Sequence, residues 1–370
     1  MSNEIIVTYR IHPSNNSPGE IAKDIVVEQT IEMPINLVQD SSIRDNIVGK
    51  IISYNEINKT TWDVIISYNS SICENSISQL LNLLFGNISL KSNIKIIDIQ
   101  LPSNFVNLFK GPRFSIKGLR KLSKKGNKPL IATALKPLGI SPEILSDICF
   151  QFALGGVDLI KDDHSLANHS FCPFEKRVSA CMEATYKAAQ KTGKEALYFP
   201  NITGNIDTLL KNIDFAIRKK VPGIILNPFL IGFDLTLKII NDISGKMAIL
   251  AHPAFAGNFF QKKHGFSEEI LLGTFMRLLG FDGVIFPHWE SRFPFSSSIC
   301  KNICNLLNKE LYNIAPAIPV PAGGISLDNL DSLIKNYGKD VIILVGGSLY
   351  SQSKKYQDNA KFFYQKIQCL

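Results

Sequence analysis

Residues 129–164 read PLIATALKPLGISPEILSDICFQFALGGVDLIKDDH. The apolar run Leu130–Leu135 predicts a strand, Pro142–Leu154 carries the spacing of an amphipathic helix, and Val157–Ile160 predicts a second strand. The unit then repeats toward the end of the chain. Further strands are expected at Ala196–Phe199, Gly223–Leu226, Ala248–Ala251, Gly283–Phe286, Ala317–Val320 and Val341–Val345, with helical stretches such as Pro173–Lys191 and Ile206–Lys219. Eight strand–helix units in about 240 residues match the size of an α/β (β/α)8 TIM barrel, whose crossovers are right-handed. An open doubly wound sheet normally uses fewer units, and no GxGxxG follows the first strand.

Residues 1–120 have a different texture. IIVTYRIH, a helix-compatible Ser17–Lys23, WDVIISYN and IKIIDIQL predict an N-terminal α+β domain of ferredoxin-like type. The Gly-rich, basic Asn104–Lys128 reads as the junction, so the expected domains are 1–120 and 121–370.

With 45% hydrophobic and 19% charged residues, the 370-residue chain can bury a large core. Its net charge of +8 is scattered, with the densest short cluster at Lys117–Lys128. That pattern fits a field that attracts small anions better than a nucleic-acid face. None of the seven cysteines forms a CxxC pair, and Cys149 and Cys181 fall in expected helices, which suits a reducing compartment. The start MSNEIIVTYR has no signal-peptide pattern, and no run of about 18 apolar residues occurs. A cytoplasmic protein with no membrane partner is expected.

Catalytic groups of a TIM barrel sit where the strands end, because the loops there converge on one mouth. After the second strand come Lys161, Asp162, Asp163 and His164, a set whose oxygen and nitrogen donors suit a divalent cation and which reads equally as a solvated turn. Lys136 follows the first strand and becomes a base if it is desolvated or placed near a cation. Strands seven and eight end in Ala322-Gly323-Gly324 and Gly346-Gly347-Ser348, where paired glycines let backbone amides approach a phosphate. His252 ends strand five, and Arg292 follows strand six as a candidate anion clamp.

These clusters, in this order, resemble the large subunit of ribulose-1,5-bisphosphate carboxylase (RuBisCO), and more closely its RuBisCO-like relatives. The landmarks are VVEQT around Glu28, GPRF at 111–114, TALKP with Lys136, GGVDLIKDDH, His252 and the two glycine turns. The resemblance implies that Lys136 is a proton-handling base. It also implies that Lys161 is carbamylated by CO2 and holds Mg2+ with Asp163 and the following residue, here His164 where the family usually has glutamate. Glu28 and Asn82 correspond to positions that reach a partner's site, so a homodimer with shared active sites is implied.

Other departures argue against CO2 fixation. The family's loop lysine after strand six falls approximately at Arg292, the arginine expected after His252 is Pro253, and a threonine phosphate contact is Met33. One phosphate position thus lacks its ligands while the glycine turns persist, which implies a monophosphate. Within the family the chain is similar to the branch that isomerises 5-methylthioribulose 1-phosphate by proton transfer in methylthioadenosine salvage. A 2,3-diketo-5-methylthiopentyl-1-phosphate enolase, which normally keeps KDDE, a decarboxylase of a 3-oxo-sugar-acid phosphate and a non-catalytic phosphosugar-binding protein are the other readings.

Overall fold

The structure, a computed structural model, describes residues 3–369 apart from 15, 75, 244 and 352–354. It divides into two compact units. The first takes the chain as far as Lys110 together with Phe255–Leu278 and Leu311–Ile314, and the second takes Gly111–Ala254, Leu279–Glu310 and the chain from Ala315 onward.

In the first unit, alternation dictates the sheet. Ile5, Val7, Tyr9 and Ile11 of strand Glu4–Ile11 are all buried, and their neighbours in sequence face outward. That strand lies between Thr61–Asn69 and Ile94–Gln100, antiparallel to both. Lys50–Asn58 forms the edge beyond Thr61–Asn69. It was not expected as a strand, because it is largely exposed and two register shifts break its alternation. The expected helix at Ser17–Lys23 runs on over Pro18–Thr30, where Ser17 and Glu20 form a reciprocal capping box and Pro18 opens the first turn.

The second unit carries the expected barrel. Its strands are β1 (Leu130–Leu135), β2 (Leu159–Asp162), β3 (Leu197–Phe199), β4 (Gly223–Leu226), β5 (Ala248–Ala251), β6 (Gly283–Pro287), β7 (Ile318–Ala322) and β8 (Ile342–Val345). Their hydrogen-bonded order is 3-2-1-8-7-6-5-4, with every neighbouring pair parallel. Closure between β3 and β4 comes from the Asn201–Ile225 bridge, where Ile202 N donates to Ile225 O at 3.0 Å and Ile225 N to Pro200 O at 2.9 Å. The interior is filled by Leu130, Leu159, Phe199, Ile225, Leu250, Ile285, Val320 and their neighbours. Gly223 is required there, since a Cβ would lie 2.1 Å from the Phe199 ring.

Two boundaries differ from the sequence reading. Residues 111–120 belong with the barrel, because the buried Asp282 accepts hydrogen bonds from the amides of Arg113, Phe114 and Ser115 at 2.8, 2.5 and 3.1 Å. Phe255–Leu278, read as part of the barrel domain, joins the first unit, because Gly265–Phe266 pairs in parallel with Ile94–Gln100. All seven cysteines are free thiols, and among the described residues no helix is long and apolar enough to cross a membrane.

Candidate active site

A parallel barrel places every strand's C-terminal residue at the same end, so the residues after β1, β2 and β5 can meet. They do. Lys136 Nζ lies 2.5 Å from Asp163 Oδ2, His164 Nδ1 lies 3.1 Å from Asp163 Oδ1, and the His164 and His252 rings stack with centroids 4.7 Å apart and planes 12° apart. Ser165 adds its amide and hydroxyl to Asp163 Oδ1 at 3.3 and 3.0 Å. Burial pushes the Asp163 carboxyl up, but hydrogen bonds from His164 and Lys136 and the charge of Lys161 outweigh it and hold the group well below the usual carboxylate range.

Lys161 is 2% exposed, and its Nζ donates to Asp162 O at 2.8 Å. Burial lowers the amine to about 8, against the pull of the Asp163 and Asp162 charges and with help from Lys136. The neutral fraction that this shift leaves near neutral pH makes the amine a nucleophile. His252 accepts a hydrogen bond from Ala254 N at its Nδ1, at 3.1 Å. Burial and the nearby Lys161 and His164 keep the imidazole pKa well below its ordinary value. His252 is therefore neutral with its proton on Nε2, which makes that nitrogen a hydrogen-bond donor.

The glycine turns are joined to one another. Gly323 and Gly324 have φ of +87° and +68°, and a Cβ on Gly324 would lie 2.2 Å from Glu290 O. Asn329 Nδ2 bridges Glu290 Oε2 (2.6 Å) and Gly324 O (2.7 Å), and Ser348 Oγ donates to Ile325 O at 2.6 Å. A Cβ on Gly346 or Gly347 would meet nothing within 4 Å, so that backbone faces open space.

The other expected residues have contacts of their own. Glu28 and Asn82 lie in the first unit, on helices Pro18–Thr30 and Ile77–Phe85, with Glu28 Oε1 3.8 Å from Lys91 Nζ. Arg292 is exposed, its guanidinium 5.2 Å from the centroid of the Phe293 ring.

Sequence reading missed the group that supports the cluster. The Asp162 carboxylate, fully buried, accepts from Tyr198 Oη (2.7 Å), Arg177 Nε (3.0 Å) and Asn201 N (3.1 Å). Asn201 Nδ2 then holds His164 O at 3.1 Å and Leu166 O at 2.9 Å, while Arg177 Nη1 holds Ala167 O and Cys172 O. The loop that carries Asp163 and His164 is thus fixed through its carbonyls. The signal was Arg177 itself, a charge on the same helical stripe as Phe174, Val178 and Cys181. Tyr350 was missed as well. Its hydroxyl accepts from Lys136 N and donates to Ala134 O, both at 2.9 Å.

Among the described residues, no group of three or more His, Cys, Asp or Glu side chains is arranged to hold a metal ion. Asp163 and His164 offer two adjoining donors, and a third arises only if Lys161 becomes an anion. The buried, readily deprotonated amine meets the chemical requirement for carbamylation. The residues therefore fit a divalent cation on the condition that the carbamate is present.

The chain matches the model of the ribulose bisphosphate carboxylase large chain N-terminal domain over residues 1–105 and that of its catalytic domain over 115–290. It is 35% identical to ribulose bisphosphate carboxylase-like protein 1 of Rhodopseudomonas palustris, across 99% of this chain and 98% of that protein. It is 31% identical to the 5-methylthioribulose-1-phosphate isomerase of Rhodospirillum rubrum, across 99% and 97%. A crystal structure of a RuBisCO-like protein from Rhodopseudomonas palustris superposes with a TM-score of 0.89 at 32% identity, covering 100% of this chain and 98% of that one. With both domains of the family matched and RuBisCO-like relatives aligned from end to end, the chain belongs to the ribulose bisphosphate carboxylase large-chain family.

Proposed function

We propose that the protein is an isomerase that transfers a proton by enolisation on a phosphorylated ketose, with 5-methylthioribulose 1-phosphate as its substrate. The observation that carries this reading is the Lys136–Asp163–His164–His252 cluster above the buried Lys161. Likeness to the Rhodospirillum rubrum isomerase along the whole chain supports the choice of substrate. Pro253 and Arg292, where the carboxylases carry an arginine and a lysine, weigh against CO2 fixation.

In this reading the Lys136 amine takes the carbon-bound proton and returns it at the neighbouring carbon, and Asp163, anionic at any ordinary pH, orients that amine. His252 donates Nε2–H toward developing oxyanion character. Lys161 Nζ attacks the carbon of CO2, an N–C bond forms, one C–O π pair moves to oxygen, and the amine releases a proton to solvent. The carbamate, Asp163 and His164 would hold a divalent cation, Mg2+ by the family resemblance. When bound, that cation supplies Lewis-acid stabilisation of an enolate. A single phosphate is placed on the backbone of Gly323–Gly324 and Gly346–Ser348. Glu28 and Asn82 are assigned to a neighbouring copy's site in a homodimer. Incubation with 5-methylthioribulose 1-phosphate and mass and NMR identification of the product tests the reading. An isomer of unchanged mass supports it, whereas released CO2 or an unaltered substrate contradicts it.

Two further outcomes are expected. Gly346→Val should fold normally, because its Cβ meets open space, yet bind phosphorylated ligand more weakly, because the side chain occupies the approach to the backbone. Titration calorimetry checks this, and unchanged affinity removes the phosphate from that turn. The second concerns pH. Only the neutral Lys161 amine reacts, and with its pKa at about 8 the neutral fraction is about a tenth at pH 7 and about nine tenths at pH 9. At fixed dissolved CO2, the CO2-dependent gain in cation affinity should therefore grow as pH rises through 8 and fade below 7.

A further inference from the structure

His164 is where this chain departs from the acidic residue that its family places beside the second aspartate, and the structure shows how its ring is set. The Nδ1–H is donated to Asp163 Oδ1 at 3.1 Å, which leaves the lone pair on Nε2. The ring is stacked on His252, and its own carbonyl is held by Asn201 Nδ2 at 3.1 Å. Asn201 is in turn anchored through its amide to the buried Asp162. The His164 side chain is 49% exposed, so the ring is held in orientation yet open to solvent. A carboxylate that accepts one imidazole N–H and aims the other nitrogen outward is the usual support of a metal-ligating histidine.

Asp163 is correspondingly occupied. Its Oδ1 takes His164 and Ser165, and its Oδ2 takes Lys136. Both carboxylate oxygens already accept from neighbours, so of the two ligands His164 is the less encumbered. Hard cations such as Mg2+ favour oxygen and hold their water tightly, whereas imidazole suits the later first-row divalent ions.

We infer that His164 Nε2 is a cation ligand and that it turns the site's preference away from Mg2+ toward first-row transition-metal ions such as Co2+. This rests on the cation site of the proposed function, and the two can fail separately.

The test uses the full-length protein, stripped of cations and equilibrated with bicarbonate at pH 8. Titration calorimetry with Mg2+ and with Co2+ gives the affinity ratio, and electron spin-echo spectroscopy of the Mn2+-loaded protein reports any coordinated 14N. The wild type should bind Co2+ more tightly than Mg2+ by about a hundredfold or more and show imidazole nitrogen coupling. In His164→Glu the ratio should narrow by about tenfold or more and the coupling should vanish. His164→Gln, which keeps a neutral side chain, should also lose the coupling, and His252→Gln should keep it. A wild-type ratio under about tenfold, or coupling that survives in His164→Glu or disappears in His252→Gln, overturns the inference while leaving a cation site in place. If neither cation binds the wild type, the cation site of the proposed function falls, and this inference falls with it.

Discussion

Lys161→Ala is expected to reduce substrate proton exchange by about three orders of magnitude while leaving the barrel folded. The substitution removes the buried amine that burial brings to about 8, and with it the carbamate that would join Asp163 and His164 as a third donor. Truncation also removes the Nζ hydrogen bond to Asp162 O, a modest structural loss beside the chemical one. Cation affinity measured with and without bicarbonate should differ in the wild type and coincide in the variant. If activity survives in Lys161→Ala and bicarbonate has no effect in either protein, Lys161 is a structural lysine and proton transfer runs through Lys136 without a carbamate.

The largest effect on stability is expected from Arg177→Met. Arg177 and Asp162 are both fully buried, so no solvent screens their pairing, and removal of the guanidinium leaves a carboxylate with only Tyr198 and Asn201 N for partners. Breaking such a pair from one side costs about 3–5 kcal/mol. Urea unfolding should register that loss, and a drop below about 1 kcal/mol would mean that the network contributes little. Adding Asp162→Asn to Arg177→Met should recover part of it, since the unpaired charge is then gone. Because Arg177 and Asn201 hold the carbonyls of the loop, the single variant should also disorder Asp163 and His164 and lower activity in the fraction that remains folded.

What was legible in the sequence follows from burial. Leu130–Leu135, Gly223–Leu226 and Ala248–Ala251 are fully buried apolar runs, and their limits were read to the residue. β2 was placed two residues early. Its strand takes in the charged Lys161 and Asp162, whose side chains are satisfied by partners distant in sequence, and composition cannot show those partners. Lys136, Asp163, His164 and His252 were legible because a barrel's connectivity brings strand ends together whatever lies between them. Arg177 and Asn201 were not, since a buried charge reads as a surface residue until its counter-ion is known. Residues 255–278, read with the barrel, pack with the first unit for a related reason. The two-residue strand Gly265–Phe266 is too short to leave a periodic signal.

The measurement that bears most directly on the proposed chemistry is proton NMR of 5-methylthioribulose 1-phosphate in deuterated water, with the protein, bicarbonate and a divalent cation. Enolisation predicts loss of the resonance of the carbon-bound proton next to the carbonyl as deuterium replaces it, together with growth of the isomer's signals, and neither change in Lys161→Ala. A substrate that keeps its protons through prolonged incubation with the wild type, while still binding it, would contradict the account and leave a phosphosugar-binding protein in its place.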